Sequence, residues 1–451
     1  MKPDSIGSEG SGSTPAPAAP SRRDSILRTA GAAILLRVVS LVTTLVQIRL
    51  IMPYLGADRF GFLTVLLAIG SLFGISDLGI SSAFQNDVTL ADTRGERSRL
   101  RPMFFTAQAT LLILALAVAG LLIGLAATLG EATFFRHLAP DLAAQAVRLT
   151  GIFMITLALN APLALSSRLA FGLHLGHLAN LTAMWGQIFT LAGSACAVFF
   201  HAPFAVFLLL TTIPLLGCNF VLGVRLMRSL EPSPGAIFEG MAYAKHTVRS
   251  GVQYLALGAS QPIFFAMVPL LLSSAFGPVV VTAYGLATRA LGVVNNLEAG
   301  ILGATWPVLT EALGRADHAR ARRCLRRNIL LACFGFCLPV LLFPFLGPHV
   351  LAWWSGLPAS VFPSWIVWPV TLLYFCVLFQ GPFYVALSAA GSVLVLAASH
   401  FIAAAAAFGA TMIWRDSPQA IPACFAAAYA IFALVPAIIQ TRRIYRPAAA
   451  G

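Results

Sequence analysis

Apolar runs of helical length alternate with short polar breaks along almost the whole chain. From Ala30 they fall near residues 30–52, 60–84, 103–129, 147–168, 178–200 and 204–227. A polar stretch follows, from Arg228 to Arg249, and six more runs fall near 250–274, 279–305, 328–346, 364–388, 392–414 and 420–440. A helix needs roughly 20 apolar residues to cross a bilayer. The pattern therefore predicts an all-α polytopic membrane protein with about 12 spans, six on either side of a linker. The predicted organisation is a tail at 1–28, an N-lobe at 29–228, a linker at 229–249, a C-lobe at 250–441 and a second tail at 442–451. The first tail is rich in Ser, Gly, Pro and Ala and has no apolar core, which predicts a disordered segment rather than a cleavable signal.

The first hairpin, Ala30 to Asp87, sets the pattern for the rest. Its two runs flank the break Pro53-Tyr54-Leu55-Gly56-Ala57-Asp58-Arg59. A weaker copy recurs in the second half. Gly277-Pro278 aligns with Gly56-Ala57, and with one residue inserted Tyr284 falls on Phe62 and Trp306 on Phe84. Two homologous halves are a repeat pattern found in transporters.

Composition agrees with the pattern: 59% of the residues are hydrophobic and 10% charged, against about 25% charged in soluble domains. The net charge of +13 is explained by where the basic residues sit. With the N-terminus inside, 21 of the 29 Lys and Arg fall in cytoplasmic segments, and only Arg59, Arg136 and Arg415 fall opposite. This asymmetry predicts both termini in the cytoplasm. It also makes membrane lipid, not nucleic acid, the expected partner of the basic loops. Seven scattered cysteines show neither metal nor disulfide spacing. There is no phosphate-binding Gly-Lys-Ser/Thr loop, no HExxH, and no outward loop longer than about Gly130 to Ala146. No catalytic residue, metal or cofactor is expected, and an enzyme is not.

The candidate functional residues are the ionisable groups inside the runs, because charge at such depth is costly and kept for a reason. They are Arg37, Arg49, Asp77, Arg289 and Glu298. Arg37 and Asp77 lie at similar depth on neighbouring spans and are expected to be able to pair. Arg49 lies near the outer end of span 1, to line a cavity or to snorkel to the interface. Arg289 lies near mid-membrane. Helical spacing puts Thr282, Gly285, Arg289, Gly292, Asn296 and Gly303 on one face, which reads either as a cavity wall or as a close helix interface. Glu298 points to the other side of the same helix. In span 7, Tyr254, Gly258 and Gln261 share a face ahead of Pro262, and span 4 has Asn160 beside Pro162. Polar groups beside helix breaks suggest discontinuous helices that line a pathway.

Three stretches carry a resemblance. Leu41 to Phe84 resembles the opening of the bacterial oligosaccharide flippases of the polysaccharide biosynthesis protein family, through Tyr54-Leu55-Gly56, Phe60-Gly61 and Asp77-Leu78-Gly79. Ala164 to Gln187, with Gly172, Gly176 and Asn180, resembles their turn between spans 4 and 5. Ala275 to Gly292 resembles the entry to their span 8. That family belongs to the multidrug/oligosaccharidyl-lipid/polysaccharide (MOP) exporter superfamily. The resemblance implies a MATE-like bundle of two lobes around a central cavity. It implies turnover of an undecaprenyl-pyrophosphate-type, lipid-linked oligosaccharide across the bacterial inner membrane by alternating access, for O-antigen, capsule or exopolysaccharide synthesis. A polysaccharide polymerase and export machinery are the implied partners. Many relatives have an acid in span 7, where this chain has Ser260-Gln261-Pro262-Ile263. That leaves Asp77 and Glu298 as the deep carboxylates for ion coupling.

Charge sign favours this function. A pyrophosphate needs cations, and Arg37, Arg49 and Arg289 outnumber the two carboxylates. A drug exporter of the same fold driven by H⁺ or Na⁺ would want an acidic lobe. A membrane polysaccharide polymerase or ligase would want a large outward loop.

Overall fold

The computed structural model describes residues 22–77, 79–130, 135–230, 259–303, 305–414 and 417–445. Fourteen helices account for nearly all of them. In the N-lobe these are α1 (Arg22–Ser71), α2 (Ile80–Thr93), α3 (Leu100–Leu129), α4 (Pro140–Gly172), α5 (Gly176–Phe199) and α6 (Phe204–Ser229). The C-lobe has α7 (Ala259–Phe276), α8 (Pro278–Gly303), α9 (Trp306–Gly314), α10 (His318–Val340), α11 (Phe343–Ser355), α12 (Ser364–Ala389), α13 (Val393–Ile413) and α14 (Ala420–Ile444).

Among the described residues, nine helices are long and apolar enough to cross a membrane, or ten if the α10–α11 pair, bent by 61°, is one span. The sequence pattern expected about twelve: α1 carries the first run and part of the second in one helix broken at Gly56, and α8 is not among the nine. The chain is a multi-pass membrane protein.

The two hairpin breaks are built alike. Gly56 interrupts α1 with φ 68° and ψ 178°, and Gly277 separates α7 from α8 with φ 83°. Only glycine adopts this left-handed region without strain. The flanking prolines fit the same turns: Pro53 precedes the first break and Pro278 opens α8, where its missing N–H costs nothing.

Three elements differ from expectation. Helix α1 begins at Arg22, inside the predicted 1–28 tail. The second apolar run is not one helix: it passes through a tight turn at Leu72–Asp77 before α2 starts. The basic segment after Gly314 is mostly helical, because the Asp317 side chain accepts the Arg320 N–H at 2.9 Å and starts α10. The predicted 229–249 linker lies almost wholly outside the described residues.

The apolar core shows how the lobes meet. One cluster joins both: Ile48, Phe60, Phe62 and Leu66 of α1 pack in it with Phe264, Val281, Leu286 and Leu291 of the C-lobe. At the opposite end, where the chain's described termini lie, the core divides. Phe84, Phe104, Leu169 and Leu226 form a separate N-lobe cluster, and Leu309, Leu325, Ala386 and Tyr445 a separate C-lobe one. The apolar core is therefore shared between the lobes at the Gly56 end and divided between them at the other.

Candidate functional site

The fused end is held by close approach and by polar contacts. A methyl group on Gly61 would lie 2.0 Å from the Pro278 carbonyl oxygen, so α1 and α8 touch backbone to backbone. Thr282 Oγ1 donates to the Ala57 carbonyl at 2.5 Å, and Gly285 packs on Thr64. From α11, the Trp354 indole N–H donates to the Leu45 carbonyl at 2.8 Å. Arg49 Nη1 donates to the Trp353 carbonyl, also at 2.8 Å.

Below this seal lies a cavity of about 520 Å³ between the lobes. Arg37, Ser40, Thr44 and Gln187 line it from the N-lobe, and Arg289, Gly292 and Asn296 from α8. Gln187 is fixed by the Thr43 hydroxyl at 3.2 Å. Arg289 is half-buried, with its guanidinium 4.8 Å from the centre of the Phe60 ring. Such a contact contributes about 0.5–2 kcal/mol, less than the roughly 2.5–3.5 kcal/mol that a charge costs at mid-membrane. Arg37 lies across Gly300: a methyl group there would come within 0.8 Å of Arg37 Nη1. Among the described residues neither guanidinium has a carboxylate partner and no Asp or Glu lines the cavity.

A second cavity, of about 540 Å³, lies on the C-lobe side of α8, with Ser71 of α1 as its N-lobe wall. It is lined by Gln261, Asn295, Glu298, Tyr374, Gln380, Tyr384 and Tyr429, and Ala299 borders both cavities. Glu298 is 2% exposed, and its Oε1 has no hydrogen-bond partner. Behind it the Tyr429 hydroxyl donates to Gln380 Oε1 at 2.5 Å and lies 3.3 Å from His400 Nε2. Gln380 Nε2 in turn donates to the Ala433 carbonyl. Helix α8 is thus a partition with cationic groups on one face and an acid on the other.

Several expectations need correction. Arg37 and Asp77 do not pair. Asp77 accepts the Ser81 N–H at 2.9 Å and caps α2, while Arg37 reaches the other lobe. Arg49 is not among the residues that line these two cavities; its bond to the Trp353 carbonyl places it in the seal. On the polar face of α8, only Arg289, Gly292 and Asn296 line the inter-lobe cavity. Thr282 and Gly285 belong to the seal, and Gly303 to the C-lobe cavity. Asn160 accepts from Asn219 Nδ2 at 3.1 Å, and the Pro162 carbonyl accepts from Gln108. These groups tie N-lobe helices together. Tyr254 and Gly258 lie outside the described residues.

No protein-family model matches the sequence, and no curated protein matches it. Solved structures do. An inward-facing MATE-family multidrug resistance transporter of the MOP superfamily aligns with TM-score 0.63 and 14% identity, over 92% of this chain and 98% of that one. The lipid II flippase MurJ, in an inward closed conformation, aligns with TM-score 0.67 and 12% identity, over 93% of this chain and 89% of that one. A MOP transporter from Pyrococcus furiosus, whose binding pocket is described as reversed in polarity with a different function suggested, aligns with TM-score 0.64 and 13% identity, over 94% and 97%. The fold is that of the MOP transporters. At these identities the likeness extends to the fold alone.

Within the MOP fold, sequence reasoning missed Gln187, Thr44, Gln380, Tyr374 and Tyr384. Gln380 carried a usable signal, being a lone amide inside an apolar run, and Gln187 a weaker one, sharing its run with Asn180. The tyrosines carried none, since an aromatic in a membrane helix is ordinary.

Proposed function

We propose that this chain is a flippase that carries a polyprenyl-pyrophosphate-linked oligosaccharide across the bacterial inner membrane by alternating access. The observation that carries this reading is the inter-lobe cavity with two guanidiniums, Arg37 and Arg289, and no carboxylate among the described residues that line it. Cation–π contact offsets only part of the cost of Arg289, so the site is incomplete without an anion. A pyrophosphate fits, because the planar guanidinium binds phosphate oxygens in pairs. Asn296, Gln187, Ser40 and Thr44 supply neutral donors for sugar hydroxyls. The lipid tail stays in the bilayer. The seal at the Gly56 end and the divided core at the other describe one of the two access states. With both termini in the cytoplasm, that state is the inward-open one. The structures that share this fold include a flippase named for lipid II and MATE-family transporters. In this reading Glu298, in the second cavity, couples an ion to the cycle, and the glycan is passed to a polysaccharide polymerase and export machinery.

The C-lobe cavity favours a second reading. A buried carboxylate among Phe265, Tyr374, Tyr384 and Tyr429 would suit a cationic amphiphile, as a drug exporter requires.

Liposomes containing the protein and a fluorescent polyprenyl-pyrophosphate oligosaccharide separate the two. The flippase reading expects wild type to expose the probe to an external quencher and Arg289→Ala, folded, not to. Uptake of a cationic dye with no movement of the lipid would replace it with the exporter.

A further inference from the structure

Away from both cavities, the C-lobe has a third pocket, of about 570 Å³, between α10, α12 and α14. It shares no residue with the other two. Its mouth is polar. Arg322 and Arg326 come from the first turns of α10, and Arg442 and Thr441 from the last turn of α14. Its floor is apolar: Leu325, Ile329, Leu330 and Ile438, backed by Phe379 and Phe383 on a face of α12 different from the one that lines the C-lobe cavity.

The mouth holds donors without acceptors. Arg322 Nη1 is buried and has no hydrogen-bond partner among the described residues. Thr441 is 1% exposed, and its Oγ1 has none either. Among the described residues none of the three arginines forms an ion pair, and no Asp or Glu lines the pocket. A buried donor left unsatisfied costs about 1–3 kcal/mol, more when charged. Three cations around one mouth also repel one another.

We infer that this pocket is a binding site for an anionic phospholipid of the surrounding bilayer, with the phosphate held by Arg322, Arg326 and Arg442 and an acyl chain laid over the apolar floor. Depth supports a lipid over a soluble anion. A helix rises about 1.5 Å per residue, so the floor runs on the order of 10 Å deeper than Arg322, from headgroup level into hydrocarbon. Leu330, 46% exposed, opens that floor to the bilayer. A soluble phosphate would satisfy the mouth and leave the floor bare. A zwitterionic lipid would fill the floor and bring its own cation to a cationic mouth. Basic pockets between membrane helices at the cytoplasmic level are known to select anionic headgroups.

The test uses the full chain in detergent, titrated with dioleoyl phosphatidylglycerol, dioleoyl phosphatidylcholine or inorganic phosphate, with binding read by native mass spectrometry and thermal midpoint. Phosphatidylglycerol is expected to bind and stabilise, and the other two are not. Arg326→Gln and Arg442→Gln should each weaken phosphatidylglycerol binding about five-fold and together about thirty-fold, since each basic residue near an anionic surface contributes about 1 kcal/mol. Both side chains are exposed, so these variants keep the fold. Ile438→Trp fills the floor without touching the arginines and should weaken the same lipid. Equal binding of the two lipids, an equal effect of phosphate alone, or wild-type affinity in the double arginine variant would each overturn the assignment.

Discussion

Arg37 of α1 lies directly on Gly300 of α8, with its Nη1 where a side chain on Gly300 would begin. The contact crosses from one lobe to the other and brings the N-lobe cation to the cavity that also holds Arg289. Only a residue without a side chain leaves room for it.

Gly300→Ala should therefore separate stability from transport. Alanine favours a helix interior by about 0.5–1 kcal/mol over glycine, and the clashing atom is the tip of a flexible side chain. The expected result is a thermal midpoint at or slightly above wild type with lipid turnover reduced toward that of Arg37→Ala. The double variant should be no worse than Arg37→Ala alone, because both remove the same contact. Additive losses in the liposome assay would show that Gly300 acts on transport by another route.

The seal at the Gly56 end predicts a shift in conformational population. Trp354→Phe removes the indole bond to the Leu45 carbonyl and keeps the ring. A typical hydrogen bond contributes about 0.5–1.5 kcal/mol, which is a two- to twelve-fold change in the ratio of sealed to open states. Gly61→Ala should act more strongly, since its methyl group would meet the Pro278 backbone, which cannot rotate aside. Spin labels placed on the two lobes beside Gly56 and Gly277 should report longer distances in both variants, with Gly61→Ala the larger change. Unchanged distance distributions would mean that the seal is carried by the apolar core alone.

These residues show how much was legible in the sequence. The breaks at Gly56 and Gly277 were, because glycine and proline interrupt apolar runs in the same way in both halves. The placing of Arg289, Gly292 and Asn296 on one face of α8 follows from helix geometry alone, which needs no tertiary knowledge. Arg37, Arg49 and Asp77 were harder. A charge within an apolar run reads the same whether it caps a helix, crosses to another lobe or faces a ligand, and only packing between distant segments decides. Asp77 caps α2 because the run breaks at Leu72–Asp77, and hydropathy could not show that break. Arg49 found its acceptor 304 residues away.

The chain of hydrogen bonds behind the C-lobe cavity predicts a loss of stability. Tyr429→Phe would leave Gln380 Oε1 without its donor and His400 Nε2 without its neighbour, all in a buried setting. An unsatisfied buried acceptor costs about 1–3 kcal/mol. The thermal midpoint should fall, while the cationic cavity on the other side of α8, and the lipid turnover proposed for it, should be unchanged. A wild-type midpoint would mean that these groups find other partners.

Glu298 separates the two proposed readings of the molecule. Among the described residues its Oε1 has no partner and no guanidinium or ammonium group lines its cavity, and Gly381 gives it room, a methyl group there lying 3.1 Å from Oε1. Glu298→Gln keeps the shape and removes the titratable proton. If the acid couples an ion to the flippase cycle, the variant should fold normally and still turn over lipid. Wild type should speed up under an imposed proton or sodium gradient, and the variant should not respond. If the acid instead binds a cationic amphiphile, the variant should lose dye uptake and leave lipid turnover with its gradient response intact. The two outcomes differ because the anion site and the carboxylate stand on opposite faces of one helix, so a change on one face leaves the chemistry of the other in place.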